Sequence, residues 1–376
     1  MNEKIARFLA DASLETPCLV VDLDTIGEAY DVLCRYLPIA SVYYAVKANP
    51  APEIVAMLAR RGSRFDVASR NEIALCLDNG ATADRLSFGN TIKKERDIAF
   101  AYDAGVRLYA FDSEAELEKL ARAAPGARVF CRILVSCDGA EWPLSRKFGC
   151  APTMAVELLG KARQYALDPY GVSFHVGSQQ TDLGQWDGAI GAVAQMFSLL
   201  AQTDINLRMV NIGGGFPARY RGPVSSVEDY ARAVTAALTK HFGNHLPEVI
   251  VEPGRSLVGD AGIIQSEVVL ISDKGDGDLR RWIYLDVGKF NGLAETMDES
   301  IKYRIEVPGR EGPSGPVIIA GPTCDSADIL YEKTEYRLPL ALAVGDRVSI
   351  LSTGAYTASY ASVGFNGFPP LRTYHI

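Results

Sequence analysis

The sequence lacks any long hydrophobic run. No window is both apolar enough and long enough to cross a bilayer, and the N-terminus, MNEKIARFLADASLETP, has no apolar centre of a secretory signal. A basic stripe is also missing, because the formal net charge is -8 and the Lys and Arg residues are scattered. That balance argues against a nucleic-acid partner. We therefore expect a cytoplasmic protein, without membrane or nucleic-acid contacts, whose partners are small molecules or proteins.

Closely spaced pairs of cysteines are absent as well. The chain has seven cysteines: Cys18, Cys34, Cys76, Cys131, Cys137, Cys150 and Cys324. Their number is odd and their spacing matches no zinc site, so we expect reduced thiols and no bound metal. Most lie in apolar segments and are expected to pack in the core. Cys324 differs, because GPTCDSAD surrounds it with turn formers and carboxylates.

The chain does contain apolar runs of strand length that alternate with amphipathic helical stretches. This alternation indicates repeated βα units and a parallel sheet. The candidate strands are eight: VYYAV, SRFDV, RLSFGN, VRLYAFD, ARVFCRILV, YGVSFHV, LRMVNIGGG and PEVIVEP. Eight such units over about 230 residues are typical of a TIM barrel. We therefore predict an α/β fold with a (β/α)8 barrel over residues 25–258.

A different pattern begins near residue 260. Short alternating runs such as GIIQSEVVLIS, RWIYLDV, GPVIIAG and GDRVSILSTG are separated by Gly, Pro and Asp. This pattern predicts an all-β domain, Greek-key or sandwich-like, over residues 259–376. The early run TPCLVVDL has no helix before it, so residues 1–24 are expected to join this second domain rather than the barrel.

Polar residues lie at the ends of the predicted barrel strands. They are Lys47, Asp66, Asn90, Asp112, His175, the glycines of 213–215 and Glu252. The active site of this fold lies at the C-terminal ends of the strands. Lys47 is unusual, because it ends an apolar run. An arbitrary lysine there is a surface residue, but a buried ammonium has a lowered pKa and becomes an amine that attacks carbonyl groups. A carbonyl cofactor would explain its position.

The glycines of 213–215 directly follow a strand and suit a phosphate-binding turn, because bare backbone N–H groups can approach an anion there. Such turns also occur in any α/β protein. Arg255, in EPGR, favours the phosphate interpretation, because a guanidinium suits phosphate and the loops after strands seven and eight often bind it. Glu252 could pair with Arg255, or it could keep the ring nitrogen of a pyridine cofactor protonated. His175 is either a packed core histidine or a ring that stacks on a cofactor.

Ten motifs in order give the sequence a family resemblance: YYAVKANP, FDVAS, SFGNTIK, RKFG, FHVGSQ, GGGFP, EPGR, GPTCDSAD, GAYT and FNGF. The chain resembles the barrel-fold (alanine racemase-like, fold type III) pyridoxal-phosphate decarboxylases of basic amino acids, most closely the short bacterial ornithine decarboxylases. The resemblance extends over nearly the whole chain.

The resemblance implies that Lys47 binds pyridoxal 5'-phosphate (PLP) covalently, that His175 stacks on its ring, and that Glu252 pairs with the ring nitrogen. Asp66 is expected near the cofactor. The residues implied for binding of the phosphate are Ser178, Gly214, Gly215, Gly254, Arg255 and Tyr356.

The resemblance also implies a head-to-tail homodimer with shared active sites, in which the CDS segment reaches the site of the partner subunit. Cys324 would donate a proton to the substrate α-carbon, and Asp325 would face the distal amine. A second carboxylate for that amine comes from LAETMDES, where Asp298 with Met297 matches the family position best and Glu295 is the alternative. These roles predict decarboxylation of ornithine to putrescine.

One alternative stays open, and three other rivals are disfavoured. Decarboxylation of lysine or arginine is compatible with the same motifs. Diaminopimelate decarboxylases share EPGR but resemble CESGD where this chain has CDSAD, and alanine-type racemases place an arginine where Glu252 stands. A non-catalytic relative that binds a regulatory protein is expected to lose Lys47 or Cys324, and both are present.

Overall fold

The structure is a computed structural model that describes residues 2–11, 14–142, 147–275, 277 and 280–376. The chain divides into two compact units. The barrel unit consists of Gly27–Pro217 and Val224–Gly254, and the β unit consists of Met1–Ile26, Ala218–Pro223 and Arg255–Ile376. Arg146 of the RKFG motif lies outside the described residues.

The strands of the described residues are, in chain order, β1 Cys18–Val21, β2 Ala40–Ala45, β3 Arg64–Val67, β4 Leu86–Phe88, β5 Leu108–Phe111, β6 Arg128–Arg132, β7 Ala140–Trp142, β8 Asp168–Ser173, β9 Ser178–Gln180, β10 Met209–Asn211, β11 Glu248–Val251, β12 Gly262–Ser272, β13 Arg281–Leu285, β14 Ile305–Glu306, β15 Ser314–Ala320, β16 Ile329–Pro339, β17 Arg347–Leu351 and β18 Arg372–His375. The α-helices are α1 Glu3–Asp11, α2 Leu23–Tyr36, α3 Pro52–Arg60, α4 Arg70–Asp78, α5 Glu95–Asp103, α6 Glu114–Ala123, α7 Pro152–Gln164, α8 Gln185–Ala201, α9 Val227–Phe242 and α10 Arg255–Val258.

Short 3-10 helices complete the list: Val46–Ala48, Ala83–Arg85, Gly259–Ala261, Ala294–Glu299 and Phe365–Gly367. No helix in the described ranges is both long enough and apolar enough to cross a membrane.

The barrel unit contains a closed parallel barrel. Its strand order is β10-β11-β2-β3-β4-β5-β6-β8, and each of these strands overlaps one of the eight predicted runs. The predicted TIM barrel is therefore confirmed. The barrel interior is filled by apolar side chains that alternate along the strands: Tyr43, Leu108, Ala110, Phe130, Met209 and Ile250. This packing closes the barrel and leaves the loops at its rim to position polar side chains.

Local signals in the sequence explain where the barrel helices begin. α3 and α7 each have a proline in the first turn, where the missing N–H costs nothing. α9 begins at a capping box, in which Ser226 accepts from the backbone of Asp229 and the Asp229 side chain accepts from the backbone of Ser226. The amphipathic helices then bury one face against the strands.

The β unit is built on one eight-stranded sheet. Its main path is β14-β17-β12-β13-β15-β16, so the predicted all-β domain is confirmed. β1 pairs antiparallel with β12, with Cys18 opposite Gln265, and β18 pairs parallel with β1. Ile5, Val20, Ile263 and Leu351 form a buried cluster here. The short segments 218–223 and 255–258 belong to this unit as well.

Candidate active site

Lys47 lies in the 3-10 turn that follows β2. Its neighbours Val46 and Ala48 are buried, whereas the Lys47 side chain is 50% exposed. The Nζ atom donates a hydrogen bond to Oδ2 of Asp66 at 3.0 Å, and Asp66 ends β3 with a side chain that is only 4% exposed. The turn thus directs one amine out of an apolar strand and gives it a buried carboxylate as partner.

Gly89 makes the room that Asp66 needs. A Cβ atom at position 89 would lie 1.9 Å from Oδ1 of Asp66, a distance that no side chain tolerates. This Oδ1 atom is buried and has no hydrogen-bond partner among the described residues, so the carboxylate has unused acceptor capacity. The motif SFGNTIK is visible in the sequence. A local pattern does not show, however, that its glycine, Gly89, faces Asp66 on the preceding strand.

Glu252 follows β11 and is held by Asn211, which ends β10. Nδ2 of Asn211 donates to Oε1 of Glu252 at 2.5 Å, while Oδ1 of Asn211 accepts from the backbone N–H of Gly213 at 2.9 Å. Burial, together with the negative charge of Asp66, raises the pKa of Glu252 to about 7. The carboxyl group therefore changes charge near neutral pH. Asn211 was missed from the sequence, where MVNIGGG drew attention only to its glycines.

This raised pKa predicts a dependence of stability on pH. The folded protein binds a proton at Glu252 more tightly than the unfolded chain, whose ordinary value is 4.5. The stabilisation is therefore complete below pH 4.5 and is lost as the pH rises through about 7. We expect Glu252→Gln, in protein freed of ligand, to remove about 2 kcal/mol of the stability change between pH 5 and pH 8.

Urea unfolding at both pH values measures this difference. The matched control is Glu157→Gln, which changes an exposed glutamate on α7 and should unfold like the wild type at both pH values. An equal pH dependence in wild type and Glu252→Gln would contradict the assignment.

His175 follows β8 and its ring is neutral. Burial, with further contributions from the positive charges of Arg132 and Lys47, lowers the pKa of His175 well below its ordinary value. Its Nδ1 atom accepts from the backbone N–H of Gly177 at 3.0 Å, which places the ring proton on Nε2. The contact also fixes the plane of the ring.

The glycines of 213–215 form a turn that no other residue can replace. Gly213 and Gly215 have φ values of 69° and 99°, in the left-handed region. A Cβ atom at Gly213 would lie 2.4 Å from the carbonyl oxygen of Phe174, and one at Gly214 would lie 2.6 Å from that of Glu252. The carbonyl of Gly215 accepts from the backbone of Gln180, two residues beyond Ser178. The bare backbone suits a bound phosphate.

Arg132, at the end of β6, was also missed from the sequence. It contributes positive charge near both Glu252 and Asp66, and its burial lowers the pKa of its own guanidinium. ARVFCRILV indicates a barrel strand in the sequence, and the single arginine within this apolar run is the same kind of signal as Lys47. The two cations balance the two acidic groups, so the site combines charges without a large net charge.

The β unit carries Arg255, Met297, Asp298, Cys324, Asp325 and Tyr356, whereas Ser178 and Gly254 belong to the barrel unit. Both terminal nitrogens of Arg255 donate to Glu295, at 2.5 and 2.7 Å, and the Tyr356 ring lies 4.9 Å from the guanidinium carbon. Met297 and Asp298 are exposed, and so are Cys324 and Asp325. The carboxylate partner of Arg255 is therefore Glu295 rather than the Glu252 that the sequence offered as an alternative.

The donor set of the barrel unit fits PLP. Lys47 supplies a half-exposed amine, His175 a neutral flat ring, and Glu252 a carboxyl group whose pKa of about 7 allows it to share a proton with a pyridine nitrogen. The glycine turn supplies bare backbone for a phosphate. Lys47, His175, Glu252 and the glycine turn thus offer chemistry that is compatible with one group.

Comparisons with known proteins agree with this chemistry. The model of a pyridoxal-dependent decarboxylase family, for its pyridoxal binding domain, matches residues 23–259. The chain is 34% identical over 370 residues to the lysine/ornithine decarboxylase of Selenomonas ruminantium. The aligned region covers 98% of this chain and 91% of that protein.

Two solved structures extend the similarity to the whole chain. The first is SrLDC, a lysine decarboxylase from Selenomonas ruminantium, in complex with PLP and cadaverine. It has 33% identity and a TM-score of 0.89, and the match covers 100% of this chain and 94% of that chain. The arginine decarboxylase of Paramecium bursaria Chlorella virus bound to agmatine has 26% identity and a TM-score of 0.89, covering 100% of each chain. This chain therefore belongs to the pyridoxal-dependent decarboxylases, and its cofactor is pyridoxal 5'-phosphate.

Proposed function

We propose that this enzyme decarboxylates basic amino acids and that its preferred reaction converts L-ornithine to putrescine. The observation that carries the proposal is the exposed carboxylate of Asp298, which a left-handed turn presents beside Met297. A carboxylate in that position suits the distal ammonium of a basic substrate. The relatives support the same substrate class, because their names include lysine, ornithine and arginine decarboxylases.

The geometry favours Asp298 over Glu295 for the distal ammonium. Glu295 is buried and both of its oxygens accept from Arg255. A substrate ammonium would have to displace a buried arginine from it, which would leave that guanidinium without its carboxylate partner. Asp298 needs no such exchange.

Bound PLP supplies an electron sink for the electron pair that remains when carbon dioxide leaves. Lys47 would hold the cofactor through its side-chain amine. Glu252 would keep a proton at the ring nitrogen, and Asn211 fixes the orientation of this carboxyl group. His175 would lie against the ring, and Asp66 holds the amine of Lys47 in position. The contacts of Lys47 with Asp66 and of Glu252 with Asn211 support these roles.

The roles of the other residues come from the family resemblance. The residues that bind the phosphate in this proposal are Ser178, Gly214, Gly215, Gly254, Arg255 and Tyr356. Cys324 donates the proton to the substrate α-carbon, and Asp325 joins Asp298 in binding the distal ammonium. Cys324 and Asp325 are exposed, as residues that enter the site of a partner subunit must be. The catalytic assembly in this proposal is a head-to-tail homodimer.

Product analysis tests the substrate assignment. The enzyme is incubated in parallel with L-ornithine, L-lysine, L-arginine and diaminopimelate, and the amines formed are separated by chromatography. We expect putrescine to form with the highest kcat/KM and cadaverine to form more slowly, because one methylene changes binding by only ~1–3 kcal/mol. Faster formation of cadaverine or agmatine would identify lysine or arginine as the preferred substrate instead. If none of the four amino acids gives an amine, the proposal is refuted.

Asp298→Asn provides a sharper test of substrate binding. The change keeps the size of the side chain and removes the charge that pairs with the distal ammonium. We expect KM for ornithine to rise on the order of 10-fold or more, with an unchanged dissociation constant for PLP. Glu306→Gln, an exposed residue on β14, is the control. Equal KM values for Asp298→Asn and wild type would remove Asp298 from the site.

A further inference from the structure

The exposed pair Met297 and Asp298 lies between two buried carboxylates. Glu295 is 3% exposed and Glu299 is 9% exposed, whereas Met297 is 37% exposed. The 3-10 helix breaks at this point, because Met297 leaves helical geometry and Asp298 and Glu299 have φ values of 52° and 55°. A left-handed conformation in two consecutive residues that are not glycine costs free energy, so the surrounding contacts must hold it.

Glu299 anchors the turn on its C-terminal side. Its carboxylate accepts from the backbone N–H groups of three successive residues of β16, Glu332, Lys333 and Thr334, at 2.7, 2.7 and 2.6 Å. Although burial acts to raise its pKa, these donors hold the pKa of Glu299 below its ordinary value. This anchor attaches the turn to the sheet of the β unit and makes no contact with Arg255.

Glu295 anchors the turn on its N-terminal side, and its partner is Arg255. The two guanidinium–carboxylate hydrogen bonds measure 2.7 and 2.5 Å, and Nη1 of Arg255 also donates to the hydroxyl of Tyr220 at 2.6 Å. The Tyr220 ring packs edge-on against Tyr303 at 5.3 Å. A bidentate ion pair of this kind fixes the orientation of both side chains. Because the pair is buried, removal of either partner destabilises the protein strongly.

We propose that Glu295 is a positioning residue that fixes the guanidinium of Arg255 and thereby couples the phosphate of the cofactor to the turn of Met297 and Asp298. This inference rests on the proposed function, in which Arg255 binds the phosphate. The ion pair then has two effects. It fixes the orientation of Arg255, and it holds the N-terminal side of the turn of Met297 and Asp298. Coupling of this kind is reciprocal: bound substrate changes the affinity for the phosphate by the same factor as bound phosphate changes the affinity for the substrate.

Shortening the side chain at constant charge separates positioning from simple charge balance. Glu295→Asp keeps the negative charge but withdraws the carboxylate by one methylene, so it can no longer meet both nitrogens of Arg255 in the present geometry. Glu299→Asp is the matched control, because it disturbs the other anchor of the same turn by the same change. The two variants differ in their contact with Arg255.

The readout is the binding of PLP and of pyridoxal, which lacks the phosphate. Full-length protein is freed of cofactor with hydroxylamine, and the two dissociation constants are measured from the quenching of intrinsic fluorescence. We expect Glu295→Asp to reduce the preference for PLP over pyridoxal about 10-fold. Glu299→Asp should leave this preference unchanged and raise only KM for the substrate. A general loss of structure would weaken both ligands alike.

The inference would be overturned if Glu295→Asp preferred PLP over pyridoxal as strongly as the wild type does. It would also be overturned if Glu299→Asp reduced this preference as much as Glu295→Asp does. If Glu295→Asp does not fold, Tyr220→Phe gives a second test. It removes the hydroxyl that accepts from Arg255, so a smaller loss of PLP preference is expected, and none would contradict the coupling. A wild type that binds pyridoxal as tightly as PLP would instead refute the phosphate site of the proposed function.

Discussion

Lys47→Ala is expected to lose decarboxylase activity by a factor on the order of 10³ or more. It should also lose the PLP label that borohydride fixes in the wild type. The reason is that Lys47 is a half-exposed amine that a turn directs away from a buried strand toward Asp66. Removal of the amine deletes the covalent attachment and a proton-transfer group in one step. Single-turnover assays and mass spectrometry of tryptic peptides measure both effects.

Lys93 is the instructive comparison, because burial lowers its pKa to about 8. By pKa alone it is a better nucleophile at neutral pH than an ordinary lysine. However, its side chain is fully buried, its Nζ lies 3.0 Å from Glu116, and it donates to the carbonyl oxygens of Asn90 and Ala110. Those contacts occupy the ammonium and exclude a cofactor, so accessibility decides against Lys93.

The control for this experiment is Lys94→Ala, a change at the exposed lysine next to Lys93. It should keep wild-type activity and the borohydride label. Label at Lys93 in the wild type, or label that persists in Lys47→Ala, would contradict the assignment of Lys47. The experiment therefore distinguishes the two lysines without a substitution in the core.

Sequence periodicity predicted the barrel because its signal is local. Each strand is a short apolar run, and the run around Lys47 stood out because a single charge ends it. The same rule would have found Arg132, where an apolar run contains a single cation. Arg132 was missed because its charge lies within the run rather than at its end.

Long-range contacts were not predictable from the sequence. Gly89 is required by Asp66, which lies on the preceding strand, and Asn211 is required by Glu252, on the following strand. These pairs become visible only when register brings neighbouring strands together. The ion pair of Arg255 with Glu295 spans 40 residues and has no local signature either. Motifs located the chemistry, and packing decided which groups orient it.

The loop that carries Cys324 is held by Asp328. Oδ2 of this buried carboxylate accepts from the backbone and hydroxyl of Thr323, and Oδ1 accepts from the backbone of Lys289 at 2.7 Å. The backbone N–H of Cys324 donates to Asn366 of the FNGF motif at 2.8 Å. The thiol is nevertheless exposed. These contacts fix the loop while Cys324 and Asp325 stay exposed, which is compatible with the role proposed for them in the site of a partner subunit.

Mixing Lys47→Ala with Cys324→Ala should therefore restore activity. Each variant alone is expected to be nearly inactive in forming the diamine. If each site takes Lys47 from one subunit and Cys324 from the other, equal amounts that exchange freely give mixed dimers with one intact site. Random pairing then predicts about a quarter of the wild-type activity per site. Product formation after mild denaturation and refolding of the mixture measures the recovery.

Two controls make the result decisive. Subunit exchange is verified by mass spectrometry of dimers in which one variant carries a heavy-isotope label. Mixing Lys47→Ala with Glu252→Gln, two changes in the same barrel unit, should give no intact site and no recovery. Mixed dimers without activity in the first mixture would show that each subunit completes its own site. Cys324 would then have to act on the cofactor that is bound to its own chain.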